Sequence, residues 1–270
     1  MANEVIHPSE LGVSVVLPAY NEEENIADAV NRALEALARV TDDFEIIVVN
    51  DGSTDRTDAV ADALVQQHHP RVRLVNHRTN AGYGATIRTG FHFAKRDLVF
   101  YTDADNQFDI SEIAYFIPLI DEYDVIIGFR VYRYDSVLRC MASWIYNRIV
   151  RILFRVKVRD VDCSFKLLRR EVLEKLTIEC TDFFVDTELV AKARKWNFRI
   201  IEKGVRHYPR VAGQTSVRTS DIPRTLRTVA RMWQRIYFPT RRQLKDAAEI
   251  EAQIGQDAVE SVLEAQQLAS

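Results

Sequence analysis

The stretch DLVFYTDADNQF, residues 97 to 108, joins an apolar run to two aspartates spaced one residue apart. Its first seven residues contain β-branched and aromatic types, which predicts a strand over 97–103. Similar runs, bounded by turn residues, occur at 13–17, 45–49, 72–75 and 125–128. Helix-like patterns lie between these runs at 22–39, 56–67, 85–95 and 111–121. This alternation predicts an α/β fold with a mostly parallel central sheet and helices on both faces.

Composition limits the classes of protein to consider. With 270 residues, 47% of them hydrophobic, the chain is long enough to bury a large core. The formal net charge of −3 argues against a nucleic-acid partner, which normally requires a basic surface. Cys140, Cys163 and Cys180 show no CxxC spacing, which favours reduced thiols in the cytoplasm. We find no signal-peptide pattern and no run of ~18 apolar residues, which predicts a soluble or peripheral protein.

The second half of the chain is less regular. Long helices are predicted at 137–155 and 184–195, and short strands at 165–168 and 199–206. After Pro239 the sequence becomes rich in Ala, Glu and Gln and has no clear core pattern. We predict an α/β domain at 1–216, a basic amphipathic helical segment at 217–242, and a helical or partly disordered tail at 243–270.

Polar loops follow four of the predicted strands. In open α/β sheets, ligands bind beyond the carboxyl ends of the strands. We therefore expect these loops to converge on one edge of the sheet and to form a binding site there. Their sequences are PAYNEE (18–23), NDGSTD (50–55), NAGYG (80–84) and DAD (103–105).

The two aspartates of the DAD triplet predict a cation site. If the strand remains extended, Asp103 and Asp105 point the same way, because side chains alternate with period two. A divalent cation relieves the repulsion between two such carboxylates, and oxygen ligands suit Mg²⁺ or Mn²⁺. The alternative is a solvated loop in which Asp105 caps a helix. The position of the triplet beside three other polar loops favours the cation.

Two other loops have both a binding and a structural interpretation. Asp51 follows a predicted buried strand, where its carboxylate can accept hydrogen bonds from a nucleobase, although a turn that caps a helix also explains it. The glycines of NAGYGAT (80–86) precede a predicted helix, where free backbone N–H groups and the helix dipole favour phosphate. A tight turn is the alternative for that loop.

Four motifs together resemble a known family. PAYNEEENI, VNDGSTDRT, NAGYGATIRTG and TDADNQF resemble, in this order and spacing, the inverting family-2 glycosyltransferases, which have the Rossmann-like GT-A fold. RDVDCSFKLLRR (159–170) resembles the acceptor motif of the polyprenol-phosphate sugar transferases, such as dolichol-phosphate mannose synthase. FFVDTELVAKA and VRHYPRVAGQTS extend the likeness, which covers residues 13 to 216. The Gln-x-x-Arg-Trp signature of processive synthases is not found, which favours a single sugar transfer over polymerisation.

The resemblance implies a role for each matching residue. Asp103 and Asp105 would hold the metal and the donor diphosphate, and Gln107 would lie near the sugar. Lys166 stands where the family more often has Arg, which exchanges a bidentate fork for a point charge. His207 and Arg210 resemble a loop that closes over the donor phosphates. The implied nucleotide-sugar site comprises Pro18, Tyr20, Glu22, Asp51, Gly82, Asp103 and Arg210, and the implied acceptor site comprises Asp160, Ser164, Phe165 and Lys166.

The implied reaction moves one hexose from a nucleotide sugar, of the GDP-mannose or UDP-glucose type, to a polyprenyl (undecaprenyl or dolichyl) phosphate. Such a phosphate is largely ionised at neutral pH, so it needs no strong general base. A soluble or glycan hydroxyl acceptor is the alternative, and it would need a base, for which Asp186 and Glu188 are candidates. Those two carboxylates could instead lie on a solvated helix face. A catalytically silent nucleotide-binding subunit of a membrane complex is a third hypothesis.

Two basic amphipathic stretches, 137–158 and 222–242, bear on location. In the first, Leu138, Met141 and Ile145 recur at helical spacing and arginines interleave with them. Such a segment is typical of a membrane interface, although a helix packed on the domain with its arginines in solvent is the alternative. Together with a lipid acceptor, this pattern predicts a peripheral protein on the cytoplasmic face that contacts the membrane surface or a membrane-protein partner.

Overall fold

The computed structural model describes residues 11–132, 137–209 and 222–238. One sheet is formed by the strands β1 Val13–Ala19, β2 Phe44–Asn50, β3 Val72–Asn76, β4 Leu98–Tyr101, β5 Val125–Arg130, β6 Lys166–Arg169 and β7 Ile200–Val205. The helices, of which η1 and η2 are 3-10 helices, are α1 Ile26–Leu37, α2 Thr57–His68, α3 Tyr83–Phe93, η1 Ile110–Tyr115, η2 Ile117–Asp121, α4 Val137–Phe154, α5 Arg170–Lys175, α6 Val185–Lys195 and α7 Ile222–Tyr237.

The direction of β6 determines which chain segments meet at the carboxyl end of the sheet. The strand order is β3-β2-β1-β4-β6-β5-β7, and every neighbouring pair is parallel except those that include β6. The predicted mostly parallel sheet is confirmed. Because β6 is antiparallel, its first residue, Lys166, lies opposite Tyr101, the last residue of β4. The segment before β6 therefore reaches the same edge as the loop after β4.

Apolar side chains form two clusters, one on each face of the sheet. Because side chains alternate across a strand, Val15 and Leu17 of β1 pack with α1, α2 and η1, while Val16 packs with α3, α4, α6 and α7. β1 and β2 are buried along their whole length. Helices therefore cover both faces, as predicted. The removal of this apolar surface from water contributes the largest favourable part of the free energy of folding.

Two predicted helices differ in the structure. The helix predicted at 111–121 is replaced by η1 and η2, because Pro118 has no N–H to donate and its ring excludes a continuous α-helix. The helix predicted at 22–39 begins only at Ile26. The backbone N–H groups of Glu22 and Glu23 instead donate to the side chains of Thr57, at the start of α2, and Asp55, in the loop before it, so these residues form a turn at the carboxyl edge of the sheet.

α7 lies within the predicted basic segment 217–242 and packs on the face of the sheet that α3, α4 and α6 cover. Val229, Met232 and Ile236 are buried there, and Trp233 Nε1 donates to the Leu153 carbonyl at 3.0 Å. The tail predicted at 243–270 lies outside the described residues, so the three-part division stays a prediction. Of the helices described, none is sufficiently long and apolar to span a bilayer.

Gly90 allows α3 to lie directly on β1. A Cβ atom at this position would overlap both methyl groups of Val16, which is fully buried and has no room to move. This close approach fixes α3 against the sheet. It also fixes the loop before α3 at the carboxyl edge.

Gly90→Ala is expected to lower the free energy of unfolding by about 1–3 kcal/mol, because the added methyl group must displace buried atoms of β1. His92→Ala, at an exposed position of the same helix, is the control and should change it by less than about 0.5 kcal/mol. Urea unfolding followed by circular dichroism measures both. Equal stability of Gly90→Ala and wild type would contradict this packing.

Candidate active site

Hydrogen bonds connect the four polar loops, which confirms their predicted convergence. The β1 and β2 loops meet where Asn21 N donates to Ser53 Oγ at 2.9 Å. The β4 loop returns to the β1 loop, because Asn106 Nδ2 donates to the Asn25 carbonyl at 3.1 Å. The β3–α3 loop supplies the remaining links, to Asp51 on one side and to Asp103 on the other.

Asp51 holds the loop before α3. Its carboxylate accepts hydrogen bonds from His77 Nδ1 at 2.7 Å, Ala81 N at 2.8 Å and Gly82 N at 3.0 Å. Burial alone would raise the pKa of Asp51, but these hydrogen bonds outweigh burial and hold the pKa below its usual value. The carboxylate is only 3% exposed, and its role in reading a nucleobase stays a prediction.

The expectation that glycines leave free N–H groups before α3 is wrong for this conformation. Ala81 and Gly82 donate to Asp51, and Gly84 N donates to the Thr181 carbonyl at 3.0 Å. Cβ atoms at Gly82 and Gly84 would collide with the backbone of residues 180–182. The glycines are therefore needed for close packing of two chain segments, and binding of a nucleotide at Gly82 stays a prediction.

Asp103 is held by two hydroxyl groups from different parts of the chain. Tyr83 OH donates to Oδ1 at 2.8 Å, and Ser164 Oγ donates to Oδ2 at 2.6 Å. Burial and the nearby Asp105 carboxylate raise the pKa of Asp103 to about 7, against the effect of these two hydrogen bonds. Asp105 does not cap η1, because that cap is Asp109, whose side chain accepts from Ser111 N.

The donor set at this edge suits a hard divalent cation. Asp103 and Asp105 offer carboxylate oxygens. The pKa of Asp162, in the acceptor motif, is likewise raised to about 7, by burial and by the neighbouring Asp186 carboxylate. Within the described ranges, no three His, Cys, Asp or Glu side chains are arranged to hold a metal by themselves. Mg²⁺ commonly binds through one or two carboxylates and completes its shell with substrate phosphates and water, so two aspartates fit such an ion.

Two residues of the predicted acceptor motif hold the structure together. Both carboxylate oxygens of Asp160 accept from Arg130, whose Nε and Nη2 each lie 2.7 Å away, and this pair ties the motif to β5. Phe165 is fully buried, and its ring contacts Phe100 at 4.7 Å and Phe116 at 5.0 Å between centroids. The hydroxyl of Ser164, in contrast, reaches Asp103.

Lys166 and Asp186 form a buried ion pair beneath the site. Lys166 is fully buried, and its Nζ donates to the Asp186 carboxylate and, at 2.6 Å, to the Cys163 carbonyl. Tyr101 OH also donates to Asp186 at 2.6 Å. A lysine at this position therefore neutralises a neighbouring carboxylate, and its contact with an acceptor stays a prediction.

The alternative that Asp186 and Glu188 lie on a solvated helix face is wrong, because each is only 4% exposed. Glu188 accepts from the N–H groups of Glu179 and Cys180 and pairs with Lys192 at 2.5 Å. This carboxylate holds the segment before α6, which in turn packs over Gly82 and Gly84. A general-base role for either carboxylate stays a prediction.

The remaining predicted residues come from the end of β1 and the loop after it, and from the segments after β4 and β7. Gln107 Nε2 donates to the Tyr208 carbonyl at 3.0 Å, and Tyr208 N donates to the Gln107 carbonyl at 2.7 Å. His207 therefore lies beside the DAD loop, and Arg210 lies outside the described residues.

Pro18 is buried at the end of β1, and Tyr20 is 46% exposed. Glu22 accepts from Asn25 Nδ2 at 2.6 Å within the same loop.

Sequence reasoning gave no role to the side chains of Tyr83, Tyr101, His77 or Arg130, although each donates to a carboxylate of the site. These residues lie 20 to 85 positions from the carboxylates that they contact, so periodicity carried no signal. For Arg130, a cation at the end of β5 was the one available indication.

Comparison with known proteins identifies the family and the fold. The family model described as "Glycosyl transferase family 2" matches residues 14–177. The chain is 34% identical over 216 residues to glycosyltransferase AglD of Haloferax volcanii, an alignment that covers 76% of this chain and 34% of AglD. It is 31% identical over 204 residues to an undecaprenyl-phosphate 4-deoxy-4-formamido-L-arabinose transferase of Edwardsiella ictaluri, covering 75% of this chain and 62% of that protein.

A dodecaprenyl-phosphate galacturonate synthase of Rhizobium johnstonii is 30% identical over 171 residues, covering 62% of this chain and 51% of that protein. The chain thus spans between about a third and three fifths of the length of these relatives. Among solved structures, glucosyl-3-phosphoglycerate synthase from Mycobacterium tuberculosis, in complex with Mn²⁺, UDP and glucosyl-3-phosphoglycerate, superimposes with a TM-score of 0.64 at 18% identity, covering 83% of this chain and 79% of that one. The fold is thus the GT-A fold, and the chain belongs to glycosyl transferase family 2.

Proposed function

We propose that this protein transfers a single hexose from a nucleotide sugar to a polyprenyl phosphate, with inversion at the anomeric carbon and with Mg²⁺ or Mn²⁺ as cofactor. One observation carries the proposal. Ser164 of the predicted acceptor motif donates to Asp103 of the predicted donor site at 2.6 Å, so the two predicted sites adjoin. The names of two relatives, an undecaprenyl-phosphate and a dodecaprenyl-phosphate enzyme, support the acceptor class.

The donor would occupy the edge formed by the first four strands. Pro18, Tyr20, Glu22 and Asp51 would surround the nucleoside, and Asp103 and Asp105 would hold the cation beside the diphosphate. A cation bound there would supply neutralisation of the charge that develops on the leaving nucleoside diphosphate. Gln107, whose amide is tied to the 207–208 segment, would lie near the sugar.

An ionised acceptor agrees with the state of the nearby carboxylates. Asp186 is paired with Lys166 and accepts from Tyr101, and Glu188 is paired with Lys192. The oxygens of both carboxylates already accept from a lysine and from other donors, which leaves fewer lone pairs for an acceptor hydroxyl and disfavours general-base activation. A lipid monophosphate has lost its second proton near pH ~6, so at neutral pH its oxygen can attack the anomeric carbon directly.

The outer face of α4 supports a position at the membrane surface. Met141, Trp144, Ile145 and Ile152 are exposed on α4, and Trp144 is 70% exposed. Exposed Arg148 and Arg151 accompany them, and exposed Arg155 directly follows the helix, while Val150 and Phe154 on the other side of the helix are buried. Apolar and cationic side chains on one helix face match the interface of an anionic bilayer. We therefore propose peripheral binding to the cytoplasmic face, with the membrane or a membrane protein as partner.

A transfer assay tests the function. The purified protein is incubated with Mn²⁺ or Mg²⁺, a polyprenyl phosphate and a panel of radiolabelled nucleotide sugars, and label in the lipid phase is counted. Metal-dependent transfer from one donor is expected. Release of nucleoside diphosphate without labelled lipid would favour a hydroxyl acceptor, and neither product with any donor would favour a silent subunit.

Asp103→Asn is expected to lower metal-dependent donor turnover about a hundredfold or more, because charge neutralisation by the cation contributes several kcal/mol. Asp42→Asn, at an exposed position at the opposite end of the strands, is the matched control and should retain full activity. Turnover is measured as nucleoside diphosphate released. If Asp103→Asn keeps wild-type turnover, the cation assignment is wrong.

Trp144→Ser is expected to reduce binding to vesicles that contain anionic lipid about tenfold or more, because burial of a large aromatic side chain contributes about 1.5–3 kcal/mol. Tyr115→Ser provides the control, since Tyr115 is 59% exposed on η1, which packs on the opposite face of the sheet. Vesicle co-sedimentation measures both. Equal loss in the two variants, or none in Trp144→Ser, would argue against membrane contact through α4.

A further inference from the structure

The Asp103 carboxylate is held by neutral donors from two segments that are far apart in sequence. Tyr83 at the start of α3 donates to one oxygen, and Ser164 in the segment before β6 donates to the other. A carboxylate offers about four lone-pair sites, so one site on each oxygen remains after these two hydrogen bonds. The hydroxyl groups thus fix the orientation of the carboxylate and leave room for another ligand.

The chemical type of these donors matters for a cation site. A lysine or arginine in contact with Asp103 would cancel its negative charge and oppose a metal ion. Lys166, two residues after Ser164, is paired with Asp186 instead. Hydroxyl donors orient a carboxylate without adding positive charge, so the attraction between Asp103 and a cation is preserved.

Tyr83 is itself rigidly placed. Its ring stacks on Phe183, with centroids 5.5 Å apart and an interplanar angle of 21°. Gly82 and Gly84 on either side of it pack against the backbone of residues 180–182. A hydroxyl held by packing on both sides transmits that rigidity to the group that it contacts.

We propose that Tyr83 is a positioning residue of the donor site, whose hydroxyl holds the Asp103 carboxylate in the orientation that binds a divalent cation. This inference rests on the proposed function, because it requires a cation at Asp103. Tyr83 does not touch the cation. It acts through Asp103, as hydrogen-bond partners of metal ligands commonly do.

Tyr83→Phe removes the hydroxyl and keeps the ring that stacks on Phe183. Binding of Mn²⁺ alone to the full chain is followed by the loss of the electron paramagnetic resonance signal of free Mn²⁺. We expect a Kd about tenfold higher in Tyr83→Phe, the lower end of the range for lost partners of metal ligands. Tyr146→Phe is the matched control, because it removes a hydroxyl that contacts Thr187 Oγ1 at 2.7 Å and should leave the Kd unchanged.

The activity of the same variants gives a second readout. In Tyr83→Phe, the Mn²⁺ concentration for half-maximal transfer should rise about tenfold, while KM for the polyprenyl phosphate should not change. Wild-type Mn²⁺ affinity in Tyr83→Phe, together with loss of binding in Asp103→Asn, would overturn the role of Tyr83 alone. Absence of Mn²⁺ binding in the wild-type protein, both alone and with a nucleoside diphosphate present, would overturn this inference and the cation of the proposed function together.

Discussion

The antiparallel pairing of β6 with β4 is the constraint on which the candidate site depends. In a sheet whose other neighbouring strands are parallel, the segment before a parallel strand would enter at the amino edge, away from the polar loops. Because β6 runs the other way, Lys166 lies opposite Tyr101, and the acceptor motif that precedes β6 arrives beside the DAD triplet. The contact between Ser164 and Asp103, and the group formed by Lys166, Asp186 and Tyr101, both follow from this register.

Charges around the site are distributed in a consistent way. The buried carboxylates of Asp160, Asp186 and Glu188 are each paired with a cationic side chain, which offsets the cost of removing them from water. Asp103 is different, because Tyr83 and Ser164 hold it with hydroxyl groups. The paired carboxylates brace the segments around the site, whereas the hydroxyl groups of Tyr83 and Ser164 orient Asp103 without adding positive charge beside it.

The sequence predicted the strands, the convergence of the polar loops and the family, because strand patterns and short motifs are local signals. It did not reveal that Asp51 accepts hydrogen bonds from the N–H groups of Ala81 and Gly82 before α3, since these contacts join residues 30 and 31 positions apart. Nor did it reveal that Lys166 is buried, because a lysine is normally exposed and its partner Asp186 lies 20 residues further along the chain. The two 3-10 helices were missed although Pro118 was visible, because helical spacing of apolar residues outweighed a single breaker.

A crystal structure of the protein in complex with Mn²⁺ and a nucleoside diphosphate tests the central claim, which is that the donor carboxylates and the acceptor motif share one site. The anomalous signal of manganese locates the ion without ambiguity. The account predicts an anomalous peak in contact with Asp103 and Asp105, beside the diphosphate, with Ser164 still bonded to Asp103. A nucleotide and ion bound elsewhere, or a peak there with Ser164 and its segment displaced from the edge, would contradict it.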